Sequence, residues 1–320
     1  MSSPEISLVV PSHDRPLRLR WLLNSLEEQT LERSRWEVVV AHDSADPETE
    51  LLLQTHPLAR DRTLRHLTFA PGPAAAPKRN AGWRAARGRI VAFTDDDCRP
   101  PPEWLERLLA ATERNPGAIV QGATRPDPDE ELLLRTPDAH TQTIEPPSPF
   151  AETCNIAYPR ELLERTGGLL EDFAVGEDTD LALRAQELGA DYVGAAEAVT
   201  FHAVETSWLG AQMRASWRWR DMPLLLRRHP AYRRHFRAGV FWKDNHAWLL
   251  LASAGALVAR RHPALTLLAL PWALLARPRY GNSPRGLVRS FSELPRRALI
   301  DGSEIAVLAY GSARHRSLLL

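Results

Sequence analysis

The chain of 320 residues is short of cysteine, of net charge and of long apolar runs, and each shortage removes a class of protein. Its two cysteines, Cys98 and Cys154, have no metal-ligand spacing and build no disulfide framework. That pattern fits a reducing, cytoplasmic compartment, with each cysteine a small buried residue by default. Forty basic and forty acidic side chains cancel. A nucleic-acid partner held by bulk charge is therefore not expected. Residues 1–7 carry neither a basic n-region nor an apolar h-region, so no signal peptide is expected. There is no internal repeat and no low-complexity tract. The length allows one large domain or two smaller ones with ample core.

What is present is organised around residues 89–98, an apolar run that ends in Asp95, Asp96, Asp97 and Cys98. The run reads as a buried strand. Three carboxylates at its end repel one another unless a cation sits among them, and a divalent ion with oxygen ligands is the simplest such cation. A solvated acidic turn is the plainer reading, and the neighbouring segments decide between the two. Ile6 to Val10 is a first strand ending at Pro11, followed by helical spacing at Leu17, Trp21, Leu22 and Leu26. Trp36 to Val40 is a second strand, ended by His42, Asp43 and Ser44. A helix over 46–55, a weak strand near 64–69, a Pro/Ala loop and a helix over 78–87 lead into the acidic strand. Strands alternating with helices argue for a parallel α/β sheet, in which ligands sit beyond the carboxyl ends of the strands. Ser12, His13, Asp14, His42, Asp43 and the three aspartates all fall at that edge.

Further on, 118–122 reads as a strand, and the proline-rich stretch 125–150 as a long loop over the site. A glycine-rich turn precedes Glu177, Asp178 and Asp180, after which the pattern turns helical to Gly189. These acids are either helix-start residues or a carboxylate facing a ligand. Residues 191–193 and 199–202 read as two short strands. His202 closes the second, either as a packed residue or as a metal ligand.

Taken in order, the segments 9–15, 38–46, 76–82, 93–97 and 176–181, with the later His202, resemble the family-2 glycosyltransferases across roughly residues 5–205. The family carries a paired Asp-Asp-Gly-Ser after its second strand. Here His42 replaces the first aspartate and the glycine is absent. The resemblance implies an α/β chain with the GT-A type nucleotide-binding sandwich, a mostly parallel sheet flanked by helices, with a helical C-terminal extension. It implies a catalytic domain over 1–205 and a helical region over 206–320. It also implies a metal-dependent, inverting enzyme that moves a sugar from a UDP-, dTDP- or GDP-sugar to a hydroxyl of a saccharide or lipid-linked acceptor.

Carried over residue by residue, the resemblance places Pro11, Ser12, Asp14 and Arg15 along the nucleotide pocket and Asp43 against the base. Lys78 and Arg79 are expected at the pocket or the phosphates, or else on a solvated helix face. Asp95 and Asp96 belong to the nucleotide side, with Asp95 on the ribose or the metal. Asp97 and His202 are expected to ligate Mn²⁺ or Mg²⁺, the imidazole favouring Mn²⁺. Asp178 matches the general base, with Glu177 beside it raising its pKa by like-charge repulsion or positioning the acceptor. Asn155 is expected to contact the acceptor. Two rival readings are a nucleotidyltransferase, for which residues 11–15 lack the glycine of a phosphate cradle, and a membrane-associated scaffold with this fold and no activity.

After about residue 204 tryptophans alternate with arginines, and two apolar runs of thirteen residues follow, 247–259 and 264–276. Each is short of the roughly 20 residues a spanning helix needs. The hairpin 247–276 is either buried within the protein or shallowly seated in a membrane interface, between tryptophan and arginine anchors. The second alternative places the protein peripherally on the cytoplasmic face of a membrane.

Overall fold

Seven consecutive residues of the first strand, β1 (Ile6–Ser12), are buried on both faces, the mark of a central strand in a two-sided sheet. The computed structural model describes residues 3–72, 74–136 and 139–320. The chain forms two compact units, one comprising Met1–Glu131, Thr141–Phe173 and Glu177–Val204, the other Leu132–His140, Ala174–Gly176 and Glu205–Leu320.

In the first unit β1 is followed by α1 (Pro16–Glu27), β2 (Trp36–His42), α2 (Pro47–Thr55), α3 (Pro57–Arg60), β3 (Leu64–Thr68), α4 (Ala75–Ala85) and β4 (Ile90–Thr94). These four strands are all parallel, with Ser12 level with His42 and His42 level with Thr68. Then come β5 (Cys98–Arg99), α5 (Trp104–Arg114) and β6 (Ile119–Pro126). The second unit's β7 (Ala139–His140) interrupts before β8 (Asn155–Pro159), α6 (Arg160–Thr166), α7 (Glu177–Glu187) and β9 (Tyr192–His202). The strand order is β3-β2-β1-β4-β8-β6-β9-β5. β8 runs antiparallel to both β4 and β6, and β5 antiparallel to β9.

The period-2 alternation of the strands divides the core. Ile6, Leu8 and Val10 face one layer with leucines of α1 and α5. Val9, Val91 and Phe93 face the other, against Trp83 of α4 and Leu181 of α7. The close approach of α4 to β1 requires glycine at 82, where a Cβ would meet Val9 Cγ1 at 2.4 Å.

Three expectations change. Residues 192–202 form one strand with a register shift opposite Gly122 and Thr124, which reads in sequence as two short runs. The stretch 125–150 is not structureless: β6 continues to Pro126, a 3₁₀ turn covers Pro128–Arg135, and β7 follows, with 137 and 138 outside the described residues. Asn155 begins a core strand and does not belong to an acceptor loop.

In the second unit β7 pairs antiparallel with β10 (Glu205–Thr206). The helices are α8 (Leu209–Ala215), α9 (Met222–Arg228), α10 (Asp244–Val258), α11 (Ala269–Ala276), α12 (Pro284–Ser292) and the 22-residue α13 (Leu294–His315). The alternation of tryptophan and arginine is explained within this unit: Arg214 lies over Trp208, Arg220 over Trp217 and Arg237 over Trp248, at 4.8 to 5.5 Å. The 247–276 hairpin is not buried, since Leu257 is 86% and Leu267 67% exposed. Among the described residues no helix is long and apolar enough to cross a membrane.

Candidate active site

The parallel strands deliver their polar tips to one edge, as the topology requires. At the end of β1, Ser12 Oγ donates to Asp96 Oδ2 at 2.7 Å, and Arg15 Nη1 lies 2.6 Å from Asp97 Oδ2. Asp14 sits between them at φ +46°, a conformation a non-glycine residue rarely adopts. Its strain is compensated by bonds on both sides, from Ala45 N–H to Asp14 Oδ1 and from Asp14 N–H to Ser44 Oγ, each 3.0 Å. The β1 and β2 tips are thus tied into one wall. Pro11 and Ser12 are buried beneath it.

Asp43 is buried, with one carboxylate oxygen taken by Lys78 Nζ at 2.6 Å and facing His13 Nδ1 at 3.0 Å, while the other accepts from Gly72 N–H. Burial would raise its pKa, but these partners outweigh burial and hold it below the ordinary carboxylate value. Lys78 is equally buried and also donates to the Ser12 carbonyl. It therefore ties the tips of β1 and β2 together and is not a solvated helix residue. His42 turns away from the edge, toward Glu50 and Thr68, its pKa lowered by burial.

Asp95, Asp97 and His202 bring one ligand atom each to within 4.8 Å of one another. The second coordination layer suits a cation. His202 Nδ1 lies 2.9 Å from the Ala203 carbonyl, which fixes the proton on Nδ1 and leaves Nε2, 3.5 Å from Asp97 Oδ1, with its lone pair inward. Thr141 Oγ1 supports the same nitrogen at 3.3 Å. One oxygen of each carboxylate is engaged by an arginine, Asp95 by Arg79 and Asp97 by Arg15. Two carboxylates and an imidazole are a donor set that Mn²⁺ accepts readily. Asp96, buried beside Asp97, is pushed up to about 7, mainly by burial and then by its neighbour's charge.

Arg79 joins this acidic edge to the start of α7. Its guanidinium is buried and reaches Asp95 at 2.6 Å and Glu177 at 3.4 Å. Burial disfavours its charge, but the surrounding carboxylates more than compensate and its pKa is raised. Next to Glu177, the half-buried Asp178 has a carboxyl pushed well above its ordinary value, first by burial and then by the Glu177 charge. The Thr179 N–H bond to its Oδ1, 2.8 Å, opposes the shift without cancelling it. Asp180 is instead a structural residue, fully buried and ion-paired to Arg184.

Asn155 corrects an expectation. It is fully buried, its amide NH₂ donating to the carbonyls of Ala123 and Ala198 and its oxygen accepting from Trp104 Nε1. No group remains to meet an acceptor. Its amide fills the space that a Cβ at Gly122 would take, 2.4 Å from Asn155 Nδ2. Conversely, sequence reasoning passed over Glu152, whose charge adds to the raising of Asp178 and which is held by Gln121 and Ser148. It also passed over Thr141. Neither carries a periodic or motif signal.

A 25% identical stretch of 204 residues relates the chain to the glycosyltransferase AglE of Haloferax volcanii, covering 62% of this chain and 67% of that protein. Validoxylamine A glucosyltransferase of Streptomyces hygroscopicus subsp. jinggangensis is 26% identical over 223 residues, covering 58% of this chain and 52% of that one. The chain thus spans about half the length of the second relative. Among solved structures, the mannosyltransferase PcManGT from Pyrobaculum calidifontis, in complex with GDP-Man and Mn²⁺, superposes with a TM-score of 0.57 at 21% identity. The alignment covers 99% of this chain and 88% of that one. S. aureus TarS 1-349 in complex with UDP-GlcNAc gives 0.53 at 16% identity, over 98% and 92%. At these identities the likeness establishes the fold, which is the GT-A glycosyltransferase fold of both neighbours. The family model for glycosyl transferase family 2 matches residues 7–169, the stretch that includes the tips of β1 and β2, the Asp-terminated strand and the helix carrying Arg79, and the chain belongs to that family.

Proposed function

We propose that the protein is a metal-dependent, inverting glycosyltransferase that takes a nucleoside-diphosphate sugar as donor and a saccharide or lipid-linked hydroxyl as acceptor. One observation carries this reading: Arg79 joins the Asp95/Asp97/His202 donor set to Glu177, whose neighbour Asp178 has a raised pKa. Both of these structural neighbours hold a nucleotide sugar, one of them with Mn²⁺, which supports the donor class and the metal.

Asp95, Asp97 and His202 would hold the ion, which when bound supplies Lewis-acid charge to the leaving diphosphate. Arg15, 41% exposed at its side chain and paired to Asp97, would offer its guanidinium to a phosphate oxygen of the donor. Ser12, Asp14 and Asp96 shape the nucleoside side. Asp43 acts there through His13 and Lys78, because its own oxygens are already engaged. Asp178 would take the proton of the acceptor hydroxyl as that oxygen attacks the anomeric carbon. Its raised pKa makes it a stronger proton acceptor than an ordinary carboxylate. Attack from the face opposite the diphosphate inverts the anomeric centre. Glu177, paired to Arg79, keeps that pKa high.

The exposed leucines of the 247–276 hairpin, with Arg260, Arg261 and Arg277 around them, support a peripheral membrane contact near a lipid-linked or cell-envelope acceptor.

Asp178→Asn tests the reading. Turnover should fall by about 10²–10⁴-fold, the usual worth of a general base, while the nucleoside diphosphate still raises the melting temperature in Mn²⁺ and not in EDTA. Unchanged turnover removes Asp178 as the base. Stabilisation by no nucleotide in either metal removes the donor site itself.

A further inference from the structure

The second unit holds a cavity of about 490 Å³ that the reading above does not use. Among the described residues nine line it, of which four are arginines, Arg135, Arg279, Arg289 and Arg297, and none of these nine is acidic. They come from four places in the chain: the 3₁₀ turn before β7, the segment after α11, α12 and α13. Such convergence is not the by-product of one basic helix face. At the acidic edge and in the sheet, by contrast, Arg15, Arg79, Arg99 and Arg184 each meet a carboxylate. Among the described residues, none of these four has an ion-pair partner.

The cluster is also partly preorganised. Arg289 lies 4.0 Å over the ring of Tyr280 and donates through Nη2 to the Arg135 carbonyl at 3.1 Å, so its guanidinium plane is fixed from two directions. Tyr280 keeps its proton more tightly than a free phenol, through burial and then the Glu293 charge. Its hydroxyl is therefore available as a neutral donor. In a chain of zero net charge, four guanidiniums held together without a counter-ion are repulsive until an anion joins them. Guanidiniums recognise phosphate oxygens in bidentate fashion, and several around one cavity select a multiply charged group. The volume lies within the roughly 300–1,000 Å³ of small-ligand sites, more than one phosphate fills. Tyr280 and Leu134 offer the remaining part of a ligand a flat apolar wall.

We propose that this cavity binds a phosphate-bearing ligand, a diphosphate or phosphate ester whose oxygens bridge the four arginines. The cavity wall at 278–280 follows directly on α11, whose Leu274 and Leu275 are more than half exposed. The phosphate therefore belongs either to a soluble molecule or to an anionic lipid headgroup. The site is distinct from the donor site and does not depend on the activity proposed above.

The test uses the full chain at physiological salt, with inorganic pyrophosphate in calorimetry and with vesicles of phosphatidylcholine, alone or mixed with phosphatidylglycerol, in flotation. The comparison variant is Arg279→Gln with Arg297→Gln; neither side chain has a bonding partner to lose, and an unchanged melting temperature verifies folding. Pyrophosphate binding weakened about tenfold or more in the variant, as expected for lost charge-assisted bonds, establishes the site with a soluble source. Binding confined to the phosphatidylglycerol vesicles and lost in the variant establishes it with a lipid source. No binding of either probe, or binding equal in both proteins, overturns the proposal. If the variant unfolds, Arg279→Glu alone serves, since a reversed charge at an exposed position should abolish binding without touching the fold.

Discussion

Asp178 and Asn155 are both polar residues at the start of a regular element, and the difference between them is one of partners. Asp178 has a neighbouring acid and incomplete solvation, so its carboxyl is held high and remains available to react. Because Asp178 must be unprotonated to act, kcat should fall as the pH drops through its raised pKa. Glu177→Gln removes the like charge, lowers that pKa and should move the acid limb of the kcat profile to lower pH. A pH–rate profile in which the limb stays fixed would show that Glu177 does not set it. Asn155, in contrast, has every donor and acceptor used inside the core. Asn155→Ala strands two carbonyls and an indole N–H, and should cost about 2–4 kcal/mol in denaturant unfolding, with acceptor KM unchanged in the folded fraction. A raised KM at unaltered stability would return Asn155 to the acceptor site. Sequence could not separate the two, since each reads as a polar residue at the start of an element and only the third dimension supplies the partners.

At the scale of elements, legibility follows burial. The parallel strands β1, β2 and β4 are buried throughout and mostly apolar, and announce themselves, as does the Asp-terminated edge they share. β9 does not, because seven of its eleven residues are only partly buried or exposed and a register shift breaks its alternation. The stretch 125–150 is held by side-chain bonds such as Arg99 to Asp127 and Arg125 to the Ile144 carbonyl, for which no periodicity exists. The helical extension shows a related effect where α10 meets α13. His246, Asp301 and Glu304 cluster like metal ligands, yet Lys243 Nζ contacts both Glu304 oxygens at 2.7 and 2.8 Å, while Trp272 and Asn245 donate to Asp301. The cluster is a latch whose cation is already an ammonium. Burial works to raise the Glu304 pKa, but the His246 and Lys243 contacts prevail and lower it beneath 4.5. The latch therefore contributes stability above the unfolded-state pKa of a glutamate, and loses it as pH falls through the lowered folded value. Acid unfolding of the wild type should show this as a steepening below pH 4.5 that Glu304→Gln lacks. Coincident acid profiles for the two proteins would deny the latch its charge.

For the whole molecule, the absence of net charge and the exposed hairpin have to be read together. A neutral chain gains little from long-range attraction to an anionic surface, so any membrane contact must come from apolar area. Neither α10 nor α11 can span a bilayer, but with the 3₁₀ turn Pro263–Leu268 between them they present Leu257, Leu267, Leu270, Leu274 and Leu275 to solvent. Burying a leucine side chain is worth about 1.5–3 kcal/mol, so a few of them suffice for reversible interfacial binding. Such binding should persist on uncharged phosphatidylcholine vesicles and resist salt. Leu257→Glu with Leu267→Glu should abolish flotation on those vesicles while leaving turnover of a soluble acceptor intact. The arginine cavity follows the opposite rule, requiring an anionic headgroup and weakening with salt. The two contributions are therefore separable in one flotation experiment run across lipid charge and ionic strength. Loss of all flotation on adding salt would assign the contact to charge and leave the hairpin without a membrane role.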